Sequence, residues 1–584
     1  MARKEMTFKI GGEAGQGVES SGAGFAKALA RAGWHVFGVQ DYYSRIRGGH
    51  NFYQIRASEQ PIYSHVESVD VLLALTQEAV DRHCGEIVEG GAVICEECLA
   101  VDCASLDDRD VSYVPVPLTE IAKEKGGSEV MRNTAALGAA AGLVSFPFEA
   151  MASVIEDNFR GKGSQAVSTN LQVAEAAYHF AQDNYAARSN YTLGRVEDAP
   201  RRMVIDGNQA LSLGALLAGC KFVAGYPMTP ATPILQWMAA HGERYGVVVK
   251  HTEDEIAAMM MVIGAAHAGV RAMAPTSGGG FSLMVEALGF AGMAEIPVVI
   301  VEGQRPGPST GLATRTEQGD LLFVLFASQG EFPRIVLAPG TLEESFQAGW
   351  RAFNLAEKYQ CPVIILSDTF LANSVRTLET DALDFAGVQI DRGALLTDED
   401  LDRLDGEYLR YAYTESGVSP RALPGHPKAV YQATSDEHTP DGHITEEPEP
   451  RRRQVEKRLR KLDVALEDMD GPVRYGPPEA ELTLIGWGST YGPLREAVDR
   501  LNAQGRTANM LHIKDIWPFP TEKVKAALAG ARRTVMVESN ATGQMAFLLQ
   551  AHTRVNIDHH VRRYDGRPFS PEYILARIEE AKNG

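Results

Sequence analysis

The chain has 584 residues, of which 45% are hydrophobic and 23% are charged, and its formal net charge is −20. A chain of this length is too long for one hydrophobic core, so we expect roughly three to four domains. The strong negative charge argues against nucleic acid and anionic membrane surfaces as partners. A small anionic substrate must therefore meet local basic groups, because the overall field of the protein repels it.

No targeting or membrane segment is predicted. The first residues run directly into a strand pattern, TFKIGG, without the apolar segment of a signal peptide. The most apolar stretch, residues 283–301, is interrupted by Glu286, Glu295 and Pro297 and does not predict a membrane span. We therefore expect a cytoplasmic protein that does not associate with membranes.

The cysteines predict neither a disulfide framework nor a metal site. Six cysteines are too few for a disulfide framework in a chain of this length. Cys95, Cys98 and Cys103 form a C-x2-C-x4-C run, a spacing that zinc and iron–sulfur ligands also use. The run lacks a nearby fourth thiolate, although Cys84 could fold back, and Cys95 ends an apolar strand pattern. We expect no metal in this chain.

The predicted elements fall into three blocks in which strands alternate with helices. The first block begins with a strand that runs into a glycine-rich turn, GGEAGQG, followed by a helix at about 20–32. Strand patterns HVFGVQ, VDVLLAL and GAVIC continue the alternation, which predicts a doubly wound sheet. The polar stretch that follows residue 182 is interpreted as a linker.

The second and third blocks repeat this pattern. The second has near-continuous apolar strand patterns, KFVAGY, VVVKH, RAMAPT, PVVIVEG and PVIILSD, which suit a parallel sheet covered on both faces. The third contains the strand patterns LTLIGWG, ANMLHIKDIWPFP and TVMVESN. The chain is therefore predicted to be an α/β protein with three doubly wound parallel-sheet blocks.

The segment between the second and third blocks loses the alternation. SDEHTPDGHITEEPEP is rich in turn-forming and acidic residues. EPRRRQVEKRLRKLDVALEDMD predicts a charged helix with i,i+4 pairs such as Glu456 with Arg460. We expect a solvated arm, and a role at a subunit contact stays open.

Three short motifs in the second block carry groups suited to chemistry. They read GYPMTPATP, HTEDEIAAM and EGQRPGPSTGLATRTEQGD, and they place Thr229, Glu255 and Arg305 just after predicted strands. Loops at the carboxyl ends of parallel strands are where open α/β sheets bind ligands. An arginine in such a loop can bind a carboxylate with two parallel hydrogen bonds.

Two of these groups also have a purely structural interpretation. Thr229 could cap the helix that we expect to begin near Pro230. Glu253, Asp254 and Glu255 could all complement the positive end of a helix. We prefer Glu255 as the chemical group, because the IAA run of the motif follows it directly.

The order and spacing of these motifs resemble the α subunit of the 2-oxoacid:ferredoxin oxidoreductases, and PGPSTGL…TEQGDL is closest to the 2-oxoglutarate branch. The resemblance implies half of a thiamine-diphosphate site. It places Glu255 at the aminopyrimidine ring, Thr229 near the cofactor and the substrate carboxylate, and Arg305 on that carboxylate. The other residues implied are Ser277 and Gly278 beside the cofactor, and Ser309 and Thr310 as hydroxyl donors to the substrate.

Arg315 is a further candidate that rests on charge alone. A 2-oxoglutarate substrate has a second carboxylate, so we expect a second cation. Arg315 in LATRTEQGD is the nearest candidate in the sequence.

The first block resembles the γ subunit of the same oxidoreductases, on GGEAGQGVES and YYSRIRGGHN. That resemblance implies coenzyme A binding, with Arg45 and Arg47 for its phosphates and backbone N–H groups near Gln16 and Gly17. The glycine-rich turn and Asp41 also allow an NAD-dependent dehydrogenase. Its glycine spacing matches neither G-x-G-x-x-G nor a Walker motif, so we favour coenzyme A.

The third block resembles the C-terminal domain of transketolase-like enzymes. The expected domains are therefore a γ-type Rossmann-like, coenzyme A-associated domain at 1–182, a linker at 183–201, a thiamine-diphosphate pyrimidine-type domain at 202–382, an irregular charged arm at 383–472 and a transketolase C-terminal-like domain at 473–584.

The sequence has no GDG motif followed by asparagine and no four-cysteine cluster signature. In the resembled family, the diphosphate–Mg²⁺ site and an iron–sulfur cluster belong to a separate β subunit. The resemblance thus implies a dimer of αβ heterodimers that reduces ferredoxin through β and converts 2-oxoglutarate and coenzyme A to succinyl-CoA and CO2. The alternatives are pyruvate or a branched-chain 2-oxoacid as substrate, or a non-catalytic scaffold.

Overall fold

A computed structural model of the chain describes residues 5–43, 48–102, 106 and 108–583. The chain divides into two compact units. The first unit comprises Met1–Ile205, Asn373–Ala382 and Ser570–Glu572, and the second comprises Asp206–Ala372, Leu383–Phe569 and Tyr573–Gly584. None of the helices described is long and apolar enough to cross a membrane.

The strands of the described chain are β1 (Glu5–Glu13), β2 (His35–Asp41), β3 (His50–Ser58), β4 (Val69–Ala74), β5 (Ile87–Glu96), β6 (Ser112–Val116), β7 (Arg202–Asp206), β8 (Phe222–Gly225), β9 (Val248–His251), β10 (Ala272–Ser277), β11 (Val299–Gln304), β12 (Ile335–Leu337), β13 (Val363–Asp368), β14 (Val375–Glu379), β15 (Val473–Tyr475), β16 (Leu482–Trp487), β17 (Ala508–Ile513), β18 (Asp515–Trp517), β19 (Thr534–Glu538) and β20 (His559–Arg562).

Its α-helices are α1 (Val18–Arg31), α2 (Gln77–His83), α3 (Leu118–Gly126), α4 (Arg132–Leu143), α5 (Phe148–Phe159), α6 (Ser164–Tyr185), α7 (Gly207–Leu217), α8 (Thr232–His241), α9 (Glu255–His267), α10 (Gly278–Met293), α11 (Leu321–Phe326), α12 (Leu342–Tyr359), α13 (Thr369–Asn373), α14 (Asp398–Asp402), α15 (Pro448–Ala465), α16 (Tyr491–Ala503), α17 (Thr521–Leu528), α18 (Gln544–Thr553) and α19 (Pro571–Asn583).

The first unit carries an eight-stranded sheet in the order β6-β5-β4-β1-β3-β2-β14-β7. The β1, β4, β5 and β6 pairings are parallel, whereas β3 lies antiparallel to both β1 and β2. The β2–β3 connection, residues 42–49, is shorter than the dozen or more residues that a parallel crossover requires. The predicted α/β class is confirmed, and this short connection explains the antiparallel part.

The placement of β3 also bears on the dehydrogenase alternative. A dinucleotide-binding βαβ unit brings its first two strands together in parallel, with the ribose-binding acid at the end of the second. Here β3 separates β1 from β2, and Asp41 ends β2. The strand order therefore lacks the neighbouring pair that an NAD site of this kind uses.

The second unit carries a seven-stranded sheet in the order β18-β12-β13-β11-β10-β8-β9, parallel except for β18. Helices cover both of its faces. Ile300 of β11 packs in one core with Ala258 of α9 and Phe281 of α10, and Val301 packs in another with Ile234 of α8. Successive residues of β11 point to opposite faces and are buried on both, as the near-continuous apolar run predicted.

A five-stranded sheet, ordered β15-β17-β16-β19-β20, completes the second unit. Its strands are parallel except for β15. Strand β18 directly follows β17 and pairs antiparallel with β12 of the seven-stranded sheet. The two sheets are thereby linked through the backbone, which fixes the third block against the second.

The expectation of a solvated arm is wrong for its charged helix, α15. Lys457 and Lys461 are fully buried, and both form ion pairs with Glu295. The predicted pairing of Glu456 with Arg460 is replaced by an ion pair of Glu456 with Arg452 at 2.7 Å. The helix can bury one charged face because the Glu295 carboxylate lies beneath it. The charge pattern of the helix alone does not indicate this buried counter-charge.

Candidate active site

The three sequence motifs meet at one edge of the seven-stranded sheet. Strands β8, β9, β10 and β11 run parallel, so their carboxyl ends lie at the same edge. Thr229, Glu255, Ser277 and Arg305 lie at or just after these ends. This is the position at which open α/β sheets bind ligands.

Thr229 lies in the turn between β8 and α8. The helix begins at Thr232, with Ala231 as its N-cap and no side-chain cap hydrogen bond, so the expected capping role of Thr229 is wrong. The helix starts later because Pro233 occupies its first turn, where the missing N–H is harmless. The Thr229 carbonyl instead accepts a hydrogen bond of 2.9 Å from Nη1 of Arg305.

Glu255 is the first residue of α9 and is 4% exposed. The helix N-terminus is capped by Asp254, whose Oδ1 accepts a hydrogen bond of 2.7 Å from the Ala257 N–H. Glu255 Oε1 is buried and has no hydrogen-bond partner among the described residues. A Cβ on Gly280 would lie 2.7 Å from that oxygen. The neighbouring aspartate thus performs the capping role, and Glu255 keeps an unused buried acceptor.

Ser277 and Gly278 form the turn from β10 into α10. Ser277 is completely buried, and its Oγ has no hydrogen-bond partner in the part of the chain that the structure describes. A Cβ on Gly278 would lie 2.5 Å from Oδ2 of Asp320. The glycine therefore allows the carboxyl group of Asp320 to approach the backbone at the start of α10.

Arg305 follows β11 and is half-buried. Its Nε is buried and unpartnered within the described residues, while Nη1 donates to Thr229. Burial lowers the pKa of Arg305, and the carboxyl groups of Glu302 and Asp320 act in the opposite direction. The guanidinium remains a cation at the sheet edge.

Two carboxyl groups that the sequence analysis did not single out lie beside Arg305. Glu302 is fully buried, and neither of its oxygens meets an N–H or O–H donor within the described structure. Burial raises the pKa of Glu302 well above its ordinary value, and the neighbouring carboxyl groups of Asp320 and Asp368 add to this effect. Burial also raises the pKa of Asp320, with Glu302 and Arg305 opposing. The edge is therefore richer in acid than the motifs suggested.

Glu317 is a third acid near this edge. It is half-buried, and burial together with Asp320 raises its pKa to about 7. Its neighbours are fixed: Thr316 Oγ1 donates to Asp368 at 3.3 Å, and Gln318 Nε2 donates to the Trp487 carbonyl at 2.9 Å. The loop that carries Glu317 is thus anchored to the five-stranded sheet.

The remaining substrate-side candidates lie on the loop after Arg305. Ser309 and Thr310 are exposed, and the Ser309 carbonyl would lie 4.0 Å from a Cβ on Gly279 at the start of α10. Arg315 is partly exposed, and a Cβ on Gly566 would lie 3.0 Å from its Cβ. The loop therefore passes over the same helix start that Glu255 contacts.

The coenzyme A candidates belong to the first unit. Gln16 and Gly17 lie between β1 and α1, where Gly17 is the N-cap with a φ of 72°. The Gln16 side chain bonds within its own loop, since Oε1 accepts a 2.9 Å hydrogen bond from the Glu13 N–H. Arg45 and Arg47 lie outside the described residues.

Across the described ranges, no group of three or more His, Cys, Asp or Glu side chains is arranged to hold a metal ion. Cys95 is buried within β5 and Cys98 is exposed. Cys103 lies outside the described residues.

Three family models match consecutive parts of the chain. Residues 7–180 match pyruvate ferredoxin/flavodoxin oxidoreductase. Residues 213–457 match the thiamine-diphosphate-binding domain of pyruvate flavodoxin/ferredoxin oxidoreductase, and residues 480–574 match core domain II of pyruvate:ferredoxin oxidoreductase. The thiamine model spans every second-unit motif described above.

Curated relatives that align over nearly the whole chain are consistent with these family models. The 2-oxoacid:ferredoxin oxidoreductase subunit alpha of a Sulfolobus species is 33% identical, and the match covers 99% of this chain and 97% of the relative. The chain belongs to the family of 2-oxoacid:ferredoxin oxidoreductase α subunits. The 2-oxoglutarate oxidoreductase subunit KorA of Mycobacterium tuberculosis is 29% identical over 100% of this chain and 92% of the relative.

A solved structure matches this α subunit over its full length. The 2-oxoglutarate:ferredoxin oxidoreductase from Magnetococcus marinus, which has 2-oxoglutarate, coenzyme A and succinyl-CoA bound, gives a TM-score of 0.90 at 33% identity. The match covers 99% of each chain. The resemblance read from the sequence is confirmed: this chain is an oxidoreductase subunit with a thiamine-diphosphate-binding domain and works in a multi-subunit enzyme.

Proposed function

We propose that this α subunit serves a reversible, thiamine-diphosphate-dependent 2-oxoglutarate:ferredoxin oxidoreductase. The reaction converts 2-oxoglutarate, coenzyme A and two oxidised ferredoxins to succinyl-CoA, CO2 and two reduced ferredoxins. The supporting observation is a group of buried polar atoms at the sheet edge that have no partner in the described part of the chain: Glu255 Oε1, Ser277 Oγ and Arg305 Nε. Native proteins hydrogen-bond nearly all such atoms, so a group of them favours a bound polar ligand.

The residues fit the organic half of thiamine diphosphate. Glu255 offers a buried carboxylate oxygen for a ring nitrogen, and Ser277 and Gly278 form the turn beside it. When bound, the cofactor supplies a carbon nucleophile for the 2-keto carbon and accepts the electron pair that decarboxylation leaves. The task of Glu255 is to hold the aminopyrimidine in its reactive protonation state.

The residues on the other side of the site suit a 2-oxoacid. Arg305 can pair with the carboxylate next to the keto group, and its bond to the Thr229 carbonyl fixes the guanidinium. Thr229, Ser309 and Thr310 provide hydroxyl donors. Arg315 is proposed to bind the second carboxylate of 2-oxoglutarate. The bound 2-oxoglutarate in the Magnetococcus relative supports this choice of substrate.

The partners and remaining cofactors are proposed from the family. A β subunit would hold the diphosphate, Mg²⁺ and an iron–sulfur cluster, transfer electrons to ferredoxin, and form a dimer of αβ heterodimers with this chain. Coenzyme A would bind the first unit through Gln16, Gly17, Arg45 and Arg47. The domain boundaries given above remain part of this proposal.

The test is to purify the chain with its β subunit and measure coenzyme A-dependent ferredoxin reduction with 2-oxoglutarate, pyruvate and a branched-chain 2-oxoacid. We expect kcat/KM for 2-oxoglutarate to exceed the others by at least about tenfold, the size of one charge-assisted contact. A preference for pyruvate would overturn the substrate. Activity that does not depend on thiamine diphosphate would overturn the cofactor.

A further inference from the structure

Glu302 occupies the interior of the seven-stranded sheet rather than a loop. It lies in β11, in register with Thr276 of β10 and Leu366 of β13. Because side chains alternate along a strand, Glu302 points to the same face as Ile300, the face covered by α9 and α10. A carboxyl group is thus placed beneath the proposed cofactor and substrate side of the sheet.

The charges around Glu302 are mostly acidic. Asp320 comes from the loop before α11 and Asp368 ends β13. Glu317, on the same loop as Asp320, has its pKa raised by Asp320. Arg305 is the cation that acts on Glu302, from the end of the same strand. On the neighbouring strand β10, Thr276 and Ser277 add no charge.

A carboxylic acid in contact with a second carboxylate forms a hydrogen bond only if one of the two keeps a proton. Glu302 points to the face of the sheet that α10 covers, and the Asp320 carboxyl lies at the start of that helix, where its Oδ2 is 2.5 Å from the Cβ position of Gly278. Each carboxyl also perturbs the pKa of the other. Glu302 is the more deeply buried, and no donor reaches its oxygens within the described residues. This arrangement favours a proton on Glu302, with Asp320 as the acceptor of its hydrogen bond.

A neutral Glu302 affects the charge balance around Arg305. Both carboxyl groups influence it electrostatically, yet it forms no ion pair with any described carboxylate, and its hydrogen bond goes to the Thr229 carbonyl. With Glu302 neutral, one guanidinium faces one carboxylate. If both acids were ionised, the net charge would be negative and would repel an incoming carboxylate.

We propose that Glu302 is a positioning residue: it stays protonated, donates that proton to Asp320, and so leaves the guanidinium of Arg305 available to the substrate carboxylate. This inference rests on the proposed function, since it assumes that Arg305 binds a 2-oxoacid.

The decisive variant is Glu302→Gln, whose amide donates the same hydrogen bond to Asp320 but cannot ionise. In the unmodified complex, KM for the 2-oxoacid should rise at alkaline pH while kcat changes little. In Glu302→Gln, KM should stay within about twofold of the unmodified value at neutral pH and lose the alkaline rise. Glu302→Leu, which removes the donor, should raise KM by about tenfold at every pH, the cost of weakening one charge-assisted hydrogen bond.

A matched control is Glu344→Gln. Glu344 is a mostly buried acid whose carboxylate pairs with His512 at 3.0 Å and accepts a hydrogen bond of 2.7 Å from the Gly340 N–H. This variant should keep the unmodified KM–pH profile. An independent readout is the infrared band of a protonated carboxyl group, which should weaken in Glu302→Gln and not in Glu344→Gln.

The outcomes separate the two levels of the proposal. If the unmodified complex turns over no 2-oxoacid, the proposed function fails, and the infrared comparison still decides whether Glu302 holds a proton. If turnover is normal but Glu302→Gln keeps the alkaline rise in KM, or the infrared band is unchanged, only the role of Glu302 is overturned.

Discussion

Two glutamates, Glu295 and Glu302, lie on either side of the start of β11, and both are 0% exposed. Burial alone would raise the pKa of Glu295, but Lys457, Lys461 and Arg410 bring it below its ordinary value. For Glu302, burial and the neighbouring carboxyls act together and raise the pKa. A glutamate at the same depth thus favours the anion at position 295 and the neutral acid at position 302.

The difference shows that burial sets the size of a perturbation and neighbours set its sign. Both carboxylate oxygens of Glu295 accept hydrogen bonds from buried ammonium groups, those of Lys457 and Lys461, so Glu295 is a structural anion. Glu255 Oε1, Ser277 Oγ and Arg305 Nε are buried and have no partner among the described residues, which is typical of a site that a ligand completes. The carboxylate oxygens themselves are paired at Glu295, whereas one is unpaired among the described residues at Glu255, and this distinguishes the structural acid from the chemical one without reference to any motif.

The largest effect is expected at Glu255, whose buried Oε1 has no partner among the described residues. Glu255→Gln should lower kcat by about 10²–10⁴-fold, because an amide cannot hold the cofactor ring in its reactive protonation state. The measurement is ferredoxin reduction by the αβ complex at saturating 2-oxoacid. Asp254→Asn is the matched control, since asparagine caps a helix as well as aspartate does. Equal losses in both variants would mean that the helix start, not the carboxylate, matters.

The second prediction applies one substitution to both glutamates. Glu295→Gln should lower stability by about 3–5 kcal/mol, because two buried ammonium groups lose their counter-charge. Glu302→Gln should change stability by about 1 kcal/mol or less, since the amide keeps the bond to Asp320. Thermal denaturation of both variants at one scan rate checks this. Similar losses of stability in the two variants would show that the burial of the glutamate alone, and not its neighbours, determines the destabilisation.

The sequence predicted the residues that immediately follow a strand. Thr229, Glu255 and Arg305 could be placed because apolar runs locate strands, and parallel strands bring their ends together. Glu302 and Asp320 belong to a quoted motif, but they are 18 residues apart and meet only when the intervening loop folds back. No local pattern reports that approach. An acid inside an otherwise apolar strand, as in VVIVEG, was the available signal for Glu302.

The same limit explains the errors in the fold. The polar positions of α15 predicted a solvated helix, because the counter-charge at Glu295 lies more than 150 residues earlier. Strand β14 joins the first sheet beside β2, although 333 residues lie between the end of β2 at Asp41 and the start of β14 at Val375. Periodicity fixes which residues form an element, and the choice of its neighbours depends on packing that the periodicity does not encode.

A third, smaller effect tests how far the cationic side of the site extends. Arg315→Met should raise KM for 2-oxoglutarate by about tenfold and leave KM for pyruvate unchanged, because only 2-oxoglutarate has a second carboxylate. Arg532→Met, at an exposed position before β19, is the control. Kinetics with both acids give the answer. Equal losses on the two substrates would assign Arg315 to loop structure.

The smallest effect concerns Glu317, which is half-buried and lies between the two extremes. Its pKa is raised from 4.5 to about 7, so the folded state binds the proton more tightly than the unfolded state. The stability this provides is complete below the ordinary pKa and is lost as pH rises through about 7. From about pH 5 to about pH 8, Tm of the unmodified chain should therefore fall relative to Glu317→Gln, by on the order of 1 °C. A constant difference in Tm across that range would show that Glu317 titrates as an ordinary surface acid. The group of perturbed acids beside Arg305 would then include Asp320 but not Glu317.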